Sequence, residues 1–220
     1  MQLNYSEHLG NLIEQVPVGI PIFTDKVAKT MAQELDVPVI EVKDIVNLNL
    51  KRLADKRMIE RVQKGVYYKP KMTVFGKTPP PIELVVHELC TREDDQRIGY
   101  VGAESYLHQL GLCTLMPKQK VIVTNKHRTK IAAMTQTVLK KPATTITTEN
   151  YRYLQMIDVI TMLGTSYVDA LNPKAIIVDA IQSYHMDKIT LLKMAKKHYP
   201  QKALLQVLDI VLEDTHELAH

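Results

Sequence analysis

The chain has 220 residues, 45% of them hydrophobic, which is enough to bury a core and too much for a disordered polypeptide. No apolar run approaches the roughly 18–20 residues a membrane span needs, and two cysteines, Cys90 and Cys113, read as reduced thiols rather than a disulfide framework. The net charge of +4 is unevenly spread, with −4 in residues 1–42, +7 in residues 43–77 and +1 in the remainder. Such a concentrated positive block suits nucleic acid as a partner, and it equally suits a solvated helix face with a lysine-rich loop. The opening MQLNYSEHLGNLIEQ has neither the basic start nor the small-residue cleavage site of a signal peptide, so the expected compartment is the cytoplasm.

In chain order, helical spacing predicts a first helix over residues 6–15, with Leu9, Leu12, Ile13 and Val16 on one stripe and Pro17 stopping it. A second follows Thr24, whose hydroxyl is placed to cap it, with Asp25 where the helix dipole favours negative charge. It ends at Asp36-Val37-Pro38, because proline disfavours helix in the residue before it. A third is predicted over residues 42–56, with Val46, Leu50 and Leu53 pointing inward. The pattern then changes to strand alternation over residues 58–62, a turn at Gln63-Lys64-Gly65, and a returning strand ended by Pro70.

Two helices joined by a short turn and followed by a hairpin predict a winged helix-turn-helix. In such a module the later helix lies in the major groove and the hairpin touches the flanking backbone or minor groove. Lys43, Lys51, Lys56 and Lys64 are then candidate phosphate contacts. Asn47 and Arg52 suit base edges, because a planar amide pairs two-fold with adenine and a guanidinium with guanine. Leu48 points outward with no core role and could meet a thymine methyl, and one of Tyr67 and Tyr68 is expected to pack inward.

Residues 70–82, PKMTVFGKTPPPI, carry three consecutive prolines and predict a stiff connector, dividing the chain into residues 1–78 and 79–220. Beyond it the expected elements are a short helix over 82–89, a segment 98–102 leading into a helix over 103–110, and a buried strand over 120–124. A further strand is expected over 144–148, then a helix over 149–163, an apolar run at 175–178 of undecided type, and closing helices over 187–198 and 202–213. The fold class expected is mixed α/β (α+β), a winged helix-turn-helix followed by a mixed α/β domain.

No phosphate-cradling glycine loop, nucleophile elbow or His-Glu-x-x-His helix is present, so the sequence reads as a non-enzyme. His87, Cys90, His108 and Cys113 match no zinc spacing, and Glu93-Asp94-Asp95 reads as a solvated turn; neither metal nor cofactor is expected. A DNA-processing nuclease would need a metal-binding carboxylate set, and Glu149, Asp158 and Asp179 are not spaced as one. Lys126-His127-Arg128 is a basic turn open to two readings, contact with nucleic acid or a solvated loop.

Taken together, Leu50-x-x-Leu53, Met58-Ile59-x-Arg61-Val62 and Gly65-Val66-Tyr67 are followed by Gly99-Tyr100-Val101-Gly102-x-x-Ser105-Tyr106-Leu107-His108-x-x-Gly111-Leu112. Pro117 and Val121-Ile122-Val123-Thr124-Asn125 come next. This combination resembles the AbiEi-type antitoxins of type IV toxin–antitoxin and abortive-infection systems, over residues 20 to 128. The resemblance implies that the first domain represses its own operon by binding promoter inverted repeats as double-stranded DNA. It implies that the second counteracts a nucleotidyltransferase-type toxin without a stable complex. It carries the groove-reading role onto Lys43, Asn47, Lys51 and Arg52, and the wing role onto Arg61 and Lys64. A monomer in solution with two copies per operator is expected. The alternative is a ligand-responsive winged-helix transcriptional regulator.

Overall fold

The computed structural model describes residues 5–126 and 137–217, and packing divides the chain into two units between Val85 and Val86. Both mix helices with small sheets, so the architecture is mixed α/β. Among the described residues no helix is long and apolar enough to cross a membrane.

The first unit contains α1 (Tyr5–Gln15), β1 (Pro21–Phe23), α2 (Thr24–Leu35), α3 (Val39–Asp55), β2 (Glu60–Gln63) and β3 (Val66–Tyr68). Leu9 and Ile13 of α1, Ala28, Met31 and Ala32 of α2, and Val42, Val46 and Leu50 of α3 meet in one core with Ile22, Ile59 and Tyr67. The strands form an antiparallel sheet in the order β1-β3-β2, in which Ile22 faces Tyr67 across one ladder and Arg61 faces it across the other. β1 was not foreseen; three residues are too few to show an alternation. Both Tyr67 and Tyr68 are buried, so the expectation that only one packs inward is corrected: β3 is the central strand and is covered on both faces.

Three further expectations are revised in this unit. Thr24 does not cap α2, because the capping position falls on Phe23 and Thr24 is already the first helical residue. Its backbone N–H instead donates to the Gly65 carbonyl at 2.9 Å, while its buried hydroxyl has no hydrogen-bond partner among the described residues. The third helix starts three residues earlier than expected, directly after Pro38, whose extended backbone is the helix boundary. Residues 70–78 are not a bare connector. They form the hairpin β4 (Met72–Thr73) and β5 (Gly76–Lys77), closed by paired backbone and hydroxyl bonds between Lys71 and Thr78.

The second unit follows the helix α4 (Ile82–Thr91), which spans the division. A small hairpin, β6 (Arg92–Glu93) and β7 (Gln96–Arg97), precedes β8 (Gly99–Val101), α5 (Ala103–Gln109), β9 (Lys120–Thr124) and β10 (Thr137–Lys140). The sheet order is β10-β9-β8, with β8 antiparallel and β10 parallel to β9. The chain closes with α6 (Tyr151–Thr161), α7 (Pro173–Ser183), α8 (Lys188–His198) and α9 (Gln201–Glu217). These helices bury a core of Met156, Ile157, Ile160, Ile177, Ile181, Leu191, Val207 and Ile210 against α5. The apolar run at 175–178 is therefore helical, inside α7.

The strand expected over residues 144–148 does not form. Asn125 takes the place of a partner strand there: its amide nitrogen donates to the Ile146 carbonyl and its oxygen accepts from the Ile146 N–H, both at 2.9 Å. Asn150 braces the same segment through the Thr147 N–H and the Thr145 carbonyl. Two side-chain amides thus satisfy backbone groups that a ladder would otherwise use.

Candidate nucleic-acid interface

α3 is held by its buried Val42, Val46 and Leu50, and further by Asn49, which accepts from Ser6 of α1 and donates to the Ile45 carbonyl. With that face fixed, a 3.6-residue period puts Asp44, Asn47, Leu48, Lys51, Arg52 and Asp55 on the opposite side, and all six are exposed. Leu48 stays 49% exposed in the middle of this row. Lys56, just past the helix end, is exposed as well. Two carboxylates, Asp44 and Asp55, bracket the row, so its positive character is concentrated in its middle and at the end of the helix.

The turn of the β2–β3 hairpin is set by Gly65, whose φ of +76° is the left-handed region that favours glycine, and by the bond from Thr24 to the Gly65 carbonyl. Lys64 beside it is exposed. Arg61 on β2 is exposed too, with its Nε donating to the Gln63 carbonyl at 3.2 Å. A register shift between Arg61 and Gln63 marks a bulge in this edge strand.

The cations of the block divide by their partners. Lys43 reaches Asp25 of α2 at 3.0 Å, in an ion pair open enough to solvent to contribute little to stability. Lys69 is turned inward: its ammonium donates to the Glu14 and Val16 carbonyls at 2.9 and 2.7 Å, and burial pulls its pKa down. It therefore caps α1. Lys77 donates to Glu60, whose carboxyl is held below the usual range by Lys77 and then by the Tyr68 hydroxyl. Burial, reinforced by Glu60, pushes the Tyr68 phenol up to about 12. By contrast Lys51, Arg52, Lys56, Arg57 and Lys64 form no ion pair among the described residues.

Arg57 was missed in the sequence. It follows α3 with φ at +61°, its N–H bonded to the Ala54 carbonyl, and it lines an open depression with Ala54, Ile59, Glu60, Arg61 and Lys77. The signal available was the Lys56-Arg57 pair at the change from helical to strand spacing. Of the basic turn in the second unit, Lys126 is engaged by Glu93 at 3.0 Å and the Leu89 carbonyl at 3.1 Å, whereas His127 and Arg128 lie outside the described residues.

Residues 36–189, the stretch that holds α3 and its hairpin, match a family of related sequences. The chain belongs to the DUF6088 family, a family of unknown function. The DUF6088 match opens at the left-handed residue Asp36 between α2 and α3 and closes at the start of α8, so it takes in α3, all three hairpins and most of the second unit. A search of curated proteins finds no match.

Within the DUF6088 match the second unit holds a half-buried carboxylate with two phenol partners. The Asp158 carboxylate on α6 accepts from Tyr100 at 2.7 Å and Tyr199 at 2.8 Å, and burial raises its pKa. This ties β8, α6 and the end of α8 together. Among the described residues no three histidines, cysteines or carboxylates come close enough to hold a metal ion.

Proposed function

We propose that the first unit is a winged helix-turn-helix that binds double-stranded DNA, with α3 in the major groove and the β2–β3 hairpin as the wing. The observation that carries this reading is the set of cations without an ion pair among the described residues, Lys51, Arg52, Lys56, Arg57 and Lys64, running from the exposed row of α3 through its end to the hairpin turn. Lys43, Lys69 and Lys77 differ from them in being engaged by Asp25, by the backbone carbonyls of Glu14 and Val16, and by Glu60. Lysines facing a duplex need no protein partner, because each displaces condensed counterions from a phosphate. Arg52 and Asn47 supply the planar groups that distinguish guanine and adenine.

The resemblance to AbiEi-type antitoxins supports a more specific role. The protein would repress its own operon at promoter inverted repeats, two copies of a solution monomer per operator, in the cytoplasm. Its second unit would counteract a nucleotidyltransferase-type toxin.

Replacing Lys51 and Arg52 together by alanine tests the DNA reading. Affinity for the protein's own promoter fragment should fall, and the slope of log affinity against log salt should become shallower by about one for each phosphate no longer neutralised. An unchanged salt titration would remove α3 from the interface. The antitoxin reading is tested separately, by co-expressing the neighbouring gene and scoring growth rescue by a chain that lacks residues 1–78. Rescue is expected without promoter binding.

A further inference from the structure

The second unit contains a cleft of about 200 Å3 lined by Tyr106, Tyr151, Arg152, Gln155, Met156 and Tyr184. α6 contributes four of these within six residues, α5 contributes Tyr106, and Tyr184 caps the end of α7. Met156, 1% exposed, belongs to the core beneath. The hydroxyls of Tyr106 and Tyr184 are 2.9 Å apart. Arg152 donates from Nε to the Tyr151 hydroxyl at 3.0 Å, and its guanidinium stands 5.8 Å from the Tyr151 ring centre and 5.7 Å from that of Tyr184.

Two features set this cleft apart from ordinary surface packing. Arg152 has no carboxylate partner among the described residues; it is exposed and rests against the Tyr151 and Tyr184 rings and the Tyr151 hydroxyl. Gln155 is fixed by donating to the Val101 carbonyl at 2.8 Å, which leaves its side-chain oxygen without a partner among the described residues. The cleft thus brings together the Tyr106 and Tyr184 rings, a Tyr151 ring that also carries Arg97 at 4.9 Å from its centre, the amide of Gln155, and a cation with no carboxylate partner among the described residues. Its volume is below the roughly 300–1,000 Å3 of clefts that engulf a whole drug-sized ligand. One planar ring fits that scale, with the rest of the molecule outside.

We propose that this cleft binds a single unstacked nucleobase together with its phosphate, the ring against the tyrosines and the phosphate on Arg152. Base-on-aromatic stacking with arginine at the backbone is the usual chemistry for nucleotides outside a duplex. The ligand is a free nucleotide or one residue of an unpaired strand, and the site stands independently of the duplex-binding surface proposed for the first unit.

The test uses the full chain carrying 13C-methyl methionine, with the Met156 methyl as a local reporter assigned by Met156→Leu. The probes are the four nucleoside 5′-monophosphates, single-stranded tetranucleotides of each base, and inorganic phosphate. At least one nucleotide or tetranucleotide should shift the Met156 signal far more than phosphate does. Arg152→Gln and Tyr184→Ala should each weaken that binding by about ten-fold, as expected when a single stacking or charge interaction is removed, while Tyr184→Phe keeps most of it. A response to mononucleotides identifies a free-nucleotide site, and a response to tetranucleotides alone identifies a strand site; either supports the proposal. It is overturned if the signal stays still with every nucleotide at millimolar concentration, if phosphate alone reproduces the shift, or if both variants bind as the parent does. Both substitutions are at exposed positions, and matching thermal melts exclude a folding defect as the cause of weakened binding.

Discussion

Gly99 has no room for a side chain. A β-carbon there would lie 2.2 Å from the Cys90 carbonyl oxygen and 2.8 Å from that of Val123, both of them backbone atoms that cannot swing away. Three residues on, a β-carbon at Gly102 would meet Val121 at 2.6 Å. Gly99→Ala should therefore lower stability by about 3 kcal/mol, read as a lower urea midpoint with an unchanged slope; a midpoint equal to the parent's would show that the backbone yields. The motif around these glycines is visible in the sequence, but its reason is a close approach of non-neighbouring backbone that no local pattern encodes. The same limit applies to the cations. That Lys51, Arg52 and Lys64 stand exposed follows from helical period and turn chemistry. That Lys69 caps α1, more than fifty positions earlier, and that Lys43 pairs with Asp25, follow only from tertiary packing.

At the scale of elements, the long amphipathic helices were legible because several turns repeat one buried stripe, as in α3 and α6. α9 was legible as a helix but not in its face. The expected stripe of Leu204, Leu205, Leu208, Val211 and Leu212 leaves Leu205, Leu208 and Leu212 exposed, and Ala203, Val207, Ile210 and Val211 are buried instead. Strands β1 and β4 to β8 are two or three residues long and give alternation no length in which to appear. The segment around Ile146 fails in the opposite way: its composition favours a strand, but the Asn125 amide supplies the pairing. The junction of β8, α6 and α8 at Asp158 has a consequence for pH. Its folded pKa is raised above the unfolded value of about 3.9, so the folded state holds this proton more tightly. The associated stability is complete below that value and is lost as pH rises through the folded pKa. Asp158→Asn removes the titration. Calorimetric melting from pH 4 to 7 should show the parent losing ground steadily to the variant, and parallel curves would mean that the carboxyl does not carry the effect.

For the whole molecule, each unit has its own apolar core, one around Met31, Val46 and Leu50 and another around Ile157, Ile177 and Val207. Residues 1–81 and 79–220, expressed separately, should each melt cooperatively, and the first should shift promoter DNA with the salt slope of the intact chain. A first fragment that shows no transition would mean that the amino-terminal core depends on the rest of the protein. The packing division falls between Val85 and Val86, inside α4, and not at the boundary expected from Pro79-Pro80-Pro81. The hairpin just before those prolines was not legible either, because a connector and a two-residue strand pair look alike in composition.

That hairpin ends in Val74 and Phe75, 94% and 98% exposed, the latter the kind of residue after which chymotrypsin cuts. A cut there would separate β4 from β5 in the covalent chain alone. Gly76 would still face Thr73, Lys77 would still hold Glu60, and Thr78 would still be bound to Lys71 and Tyr68. The nicked protein should consequently elute as one particle and come apart only in denaturant.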